Sequence, residues 1–139
     1  MIRQLERERI EYALAAVRES EPVDVEAQYA AKYRTMLVTL PAMIRTCGLG
    51  QSLAHLQAEA ADAAGQQRPP AHLVYDQIAG WLTSRRGIYQ PDGASLLEQV
   101  RSGGFERSAH ATDEAQALLA WMTKFADVFL PRAEGGPAQ

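Results

Sequence analysis

Apolar residues recur along this chain at steps of three and four, the spacing of one face of an α-helix. Near the N-terminus Ile10, Ala13, Leu14 and Val17 share a face, and Arg3, Arg7, Arg9, Glu6, Glu8 and Glu11 cover the rest. Some of these charges sit three or four residues apart, where they can pair. A helix over about residues 2–20 is predicted. Pro22 and Asp24 then punctuate, with Asp24 placed to cap the next helix and Glu26 at its positive end. That helix carries Tyr29, Tyr33, Met36, Leu37 and Leu40. Pro41 is expected to kink or break it, because proline lacks an N–H and pushes Leu40 away from helical geometry. A short helical piece continues to Cys47, where Gly48 suits a left-handed cap. A further helix is predicted from about Leu49 to Ala64, with Leu49, Leu53, Leu56 and Ala60 as its stripe.

The segment GQQRPPA reads as a loop, and Pro70 as the first residue of the following helix. In that helix Val74, Ile78, Trp81 and Leu82 align, and Gly87 ends it. YQPDGAS is turn-rich. Ser95 and Glu98 then form a capping-box pattern ahead of Leu96, Leu97 and Val100, and Gly103 and Gly104 stop this short helix. The last helix is predicted to start at Thr112 as cap, with Asp113 and Glu114 in its first turn. Its stripe is Ala115, Leu118, Leu119, Met122, Phe125, Ala126 and Phe129. The result is an all-α, single-domain bundle of six to seven helices over residues 1–131. Residues 132–139 are expected to form a disordered tail.

Composition narrows the function. A chain of 139 residues fits one domain with its own core, and 47% hydrophobic with 7% aromatic content favours helices over sheets. No apolar run approaches the roughly eighteen residues of a membrane span. The N-terminus is charged from its third residue, unlike a secretory signal, so a cytoplasmic protein is expected. The single cysteine, Cys47, excludes an internal disulfide.

Charge adds a sharper feature. The protein has net charge −3, yet residues 27–58 contain no Asp or Glu and carry Lys32, Arg34 and Arg45. Such a face can meet a nucleic-acid phosphate chain, or it can be a helical stretch with few charges of any sign. A second acid-free stretch, residues 77–91, holds Arg85 and Arg86. Those two also suit the negative end of the helix before them.

Catalytic chemistry finds little support. Cys47 and His55 could serve as nucleophile and base, but no orienting third group or oxyanion donor is marked, and Cys47 is expected to pack at a helix end. His55, His72 and His110 lack metal-ligand spacing, and no cofactor motif is present. Trp81 and Trp121 lie on apolar stripes and are assigned to the core. The helix–glycine–helix at Gly48 raises a DNA-binding helix-turn-helix, with Gln51, Ser52 and His55 offered to base edges. Its second helix has no Lys or Arg and ends in Glu59 and Asp62, which counts against duplex reading.

The run KYRTMLVTLPAMIRTCGLGQSLAHL, Lys32 to Leu56, resembles the signature of the small α-helical subunit family of the type III-B CRISPR (Cmr) RNA-silencing complex, the fifth Cmr protein. The closing helix ATDEAQALLAWMTKFADVFL, Ala111 to Leu130, is similar to that family's last helix. Cys47 and His55 depart from the family pattern. The resemblance implies a non-catalytic subunit of an antiviral ribonucleoprotein. It would lie beside the Cmr backbone and large subunits and neighbouring copies of itself, and help to hold target RNA paired with the guide RNA. The cations placed to contact RNA are Arg45, Lys32, Arg34, Lys124, Arg85 and Arg86. The competing reading is a free-standing helical adaptor or a helix-turn-helix DNA-binding regulator.

Overall fold

A computed structural model of the chain describes residues 2–19, 27–62, 69–91 and 95–130. Their order is α1 (Ile2–Arg18), α2 (Ala27–Cys47), α3 (Leu49–Asp62), α4 (Pro70–Gly80), a π-helical turn (Trp81–Arg85), α5 (Leu96–Ser102) and α6 (Phe105–Phe129). No strand occurs among the described residues. The expected Asp24 cap and the C-terminal tail lie outside the described residues.

Each apolar stripe finds a neighbour. Helix α2 is central, packed against α3, α4 and α6, while α1 lies along α6 and α5 rests on α3. Tyr33, Leu37, Leu53, Ile78, Trp81, Leu118 and Met122 meet in one core, all essentially removed from water.

The predicted caps hold at several ends. Gly48, at φ 91°, separates α2 from α3, and its N–H donates to the Ile44 carbonyl at 2.8 Å. A residue with a Cβ would be strained there. Ser95 caps α5 by accepting the Glu98 N–H at 3.3 Å. Pro70 opens α4, after Pro69 in extended geometry.

Three expectations are corrected. Helix α2 continues as one helix through Pro41, with Leu40 inside it, so the helix does not break there. Leu37, Leu40 and Ile44 are buried around the proline, so packing on both sides outweighs the lost backbone hydrogen bond. The Pro41 carbonyl also accepts from Gln116 Nε2 of α6 at 3.0 Å. Helix α6 starts seven residues before Thr112, at Phe105, after Gly104 at φ 89°. Thr112 does not cap it but sits within it, donating its hydroxyl to the Ser108 carbonyl at 2.8 Å. Glu114 is not in a first turn but well inside α6, and it is only 7% exposed.

The π-helical turn has no counterpart in the apolar pattern. Its register is set by Arg86 N–H donating to the Trp81 carbonyl, five residues back, at 2.9 Å. Thr83 Oγ1 donates to the Ala79 carbonyl at 2.7 Å, and Gly87 at φ 66° closes the element. This turn decides where Arg85 and Arg86 point.

Candidate nucleic-acid interface

The six cations singled out by the sequence fall into three environments. Arg45, in the last turn of α2, and Lys32, near its start, are exposed and form no ion pair among the described residues. Lys124 and Arg85 are exposed but rest on rings: Lys124 Nζ lies 4.9 Å from the Trp121 ring centre, and the Arg85 guanidinium 5.3 Å from that of Tyr12. Both keep an uncompensated charge while their stems are packed. Arg34 and Arg86 differ. Arg34 donates to Asp127 of α6, and Arg86 Nε lies 3.6 Å from the Glu114 carboxylate. Their charge is largely compensated within the fold.

These cations do not converge on one point. Arg34 and Arg45 are eleven residues apart, about three turns, and so share the side of α2 that borders α6. Lys32 lies about 140° around the helix from Arg45. The acid-free window thus yields two separated cationic positions, with Arg45 nearer to α6. Arg45 also suits the negative end of α2.

The interior beside them is polar in two places. Gln77, 4% exposed, accepts the Tyr33 hydroxyl on Oε1 at 2.5 Å. Its Nε2 donates to the Ala16 carbonyl at 2.7 Å and to Glu19 at 3.0 Å. The Tyr12 hydroxyl donates to the Gln77 backbone carbonyl at 2.5 Å. Gly80 leaves room for that hydroxyl, which a Cβ would meet at 2.7 Å. Burial pushes the Tyr12 phenol up to about 12, and the Tyr33 phenol further up. Both remain donors at neutral pH.

The second polar centre surrounds Glu114. Arg9 Nη2 lies 3.3 Å from each carboxylate oxygen, and Trp81 Nε1 donates to Oε1 at 3.2 Å. Arg9 is tied in turn to Glu6 at 2.7 Å, and Glu6 accepts from Trp121 Nε1 at 3.3 Å. Neither centre opens on a reactive group. Sequence reasoning missed both, since Gln77 and Glu114 carry no motif and only their burial gives them a role.

Trp81 is buried as expected, Trp121 is partly buried and packs against the core, and Cys47 is exposed and not packed at the helix end. Of the residues offered to duplex DNA, Ser52 is only 1% exposed, and its hydroxyl donates to the Gly48 carbonyl at 2.8 Å. It cannot reach a base edge. His55 sits 3.5 Å from Glu59 on the same helix. Among the described residues no three His, Cys, Asp or Glu side chains converge as a metal site. No described helix is long and apolar enough to cross a membrane.

The fold and its surface define a small all-helical protein with cations displayed on a helical scaffold. The model of the family described as CRISPR-associated protein (Cas_Cmr5) matches residues 5–129, so the chain belongs to the Cmr5 family and is a subunit of a CRISPR Cmr complex. The fold is similar to the X-ray crystal structure of a CRISPR-associated Cmr5 family protein from Thermus thermophilus. The TM-score is 0.66 at 22% identity, over 91% of this chain and 97% of that one.

Proposed function

We propose that this chain is a non-catalytic structural subunit that packs along the backbone of a cytoplasmic Cmr effector and helps to hold target RNA. The observation that carries the reading is Arg45: exposed, without an ion-pair partner among the described residues, in a segment free of acids. Lys32 offers a second such charge. Lys124 and Arg85 present cations anchored on rings, while Arg34 and Arg86 act mainly as internal struts. Cations of this kind hold phosphates without reading bases.

The test is Arg45→Glu in the reassembled complex, with target-RNA affinity measured against salt. A phosphate contact predicts weaker binding for every target sequence and a salt slope smaller by roughly 0.7–1 unit. The same affinity and slope for Arg45→Glu combined with Lys32→Glu would overturn the RNA-holding role. Arg34→Ala should instead leave the slope unchanged.

A further inference from the structure

On the side of α6 facing α1, Trp121, Phe125 and Phe129 form a ladder at four-residue steps. Trp121 and Phe125 stack with ring centres 5.8 Å apart, and Phe125 and Phe129 follow at 6.4 Å. Each ring is partly open to solvent, and Val128, three residues after Phe125, is 73% exposed. The facing row on α1 is Glu6, Ile10, Leu14 and Arg18, again at steps of four. Glu6 is fixed to Trp121, and Arg18 lies 5.2 Å over the Phe129 ring, which pins both ends of the row. Ile10 and Leu14, between them, are partly buried. A continuous apolar strip therefore follows the α1–α6 seam. Its rim carries exposed Arg3 and Arg7 on α1 and Lys124 on α6; of the acids beside them, Glu11 is exposed and Glu6, its side chain 45% exposed, is held by Arg9.

We infer that this seam docks an acidic, amphipathic segment of another protein subunit. The rim favours Asp and Glu on the occupant, and the strip favours apolar side chains. Single-stranded RNA fits less well, although cations beside aromatic rings are its usual platform. Here the ring faces are taken: Trp121 is covered by Lys124 and stacked on Phe125, and Phe129 lies under Arg18. What remains open is ring edges and the aliphatic surface of Ile10, Leu14 and Val128. That surface suits side chains and offers no plane for a base. The seam uses the α1 side of α6, away from the α2 side that holds Arg45.

The inference rests on the chain working inside a Cmr complex, and its test separates the two. A photoreactive benzophenone residue replaces Val128 in the full chain, and the purified assembled complex is irradiated and digested. The expected product is a cross-link to one segment of a different subunit, rich in Asp or Glu among apolar residues. A cross-link to RNA, to a second copy of this chain or to a basic segment would overturn it, as would none. Val128→Glu combined with Arg7→Glu changes two exposed positions and should leave the helical spectrum intact. It is expected to lower retention in the complex by roughly tenfold or more, the scale of losing one interface anchor. Unchanged retention would overturn the docking role. Failure of the unaltered chain to co-purify with any complex would instead remove the assembly reading itself.

Discussion

Glu114 shows how much one side chain holds here. It is buried on α6, yet it gathers Arg9 from α1, Trp81 from the π-helical turn and Arg86 just after that turn, so a single carboxylate ties three elements. Removing the carboxylate leaves Trp81 Nε1 and Arg86 desolvated without it and Arg9 with Glu6 alone, which costs more than the pair contributes. Glu114→Ala is expected to destabilise the protein by about 3 kcal/mol in urea unfolding. Glu114→Gln, which can still accept from Trp81, should cost clearly less. Equal losses for both would mean that packing volume, not charge, is what this site supplies. Arg34 obeys the same logic at the surface. Its side chain is only 11% exposed, and the more exposed Asp127 that it meets removes Arg34 from the set of free cations.

Pro41 carries the lesson at the scale of the element. A proline in a helix interior removes one hydrogen bond and crowds the preceding turn, so local chemistry predicts a kink or a break. The helix continues because Leu37, Leu40 and Ile44 are locked into the core around it, a tertiary effect that no local pattern encodes. Pro41→Ala should restore the N–H donor to the Leu37 carbonyl while keeping the carbonyl that accepts from Gln116. The expected gain is up to about 3 kcal/mol, read as a higher unfolding midpoint. A loss of stability would show that the proline shapes α2 in a way the bundle needs. Elements with strong local signals were legible: the Gly48 cap, the Ser95 cap of α5 and the Pro70 start all follow from side-chain or backbone chemistry within a few residues. The start of α6 was not, because Thr112 and Asp113 offer a good cap that a longer helix, begun at Gly104, simply overrides. The π-helical turn leaves no trace in apolar spacing, so the sequence could not say that Arg86 would turn inward to Glu114 and Arg85 outward over Tyr12. The candidate cations were all visible as residue types. Which of them remained free depended on Asp127 and Glu114, dozens of residues away.

For the whole molecule, the central question is whether the RNA role and the assembly role share a surface. Helix α6 separates them: Arg45 lies on the α2 side, and the ladder of Trp121, Phe125 and Phe129 on the α1 side. Sites that share no partner usually add in free energy, whereas residues in one contact network do not. Arg45→Glu should therefore weaken target-RNA binding without lowering retention in the complex. Val128→Glu with Arg7→Glu should lower retention, and any subunit that is retained should bind RNA with the unaltered salt slope. The triple variant is expected to show the sum of the two effects within about 0.5 kcal/mol. Lys124 is the informative exception, because it is exposed on α6 and rests on the first ring of the ladder. Lys124→Glu should affect both readouts. A larger-than-additive loss in the triple variant would show that one occupant spans α6 and that the two faces form a single binding surface.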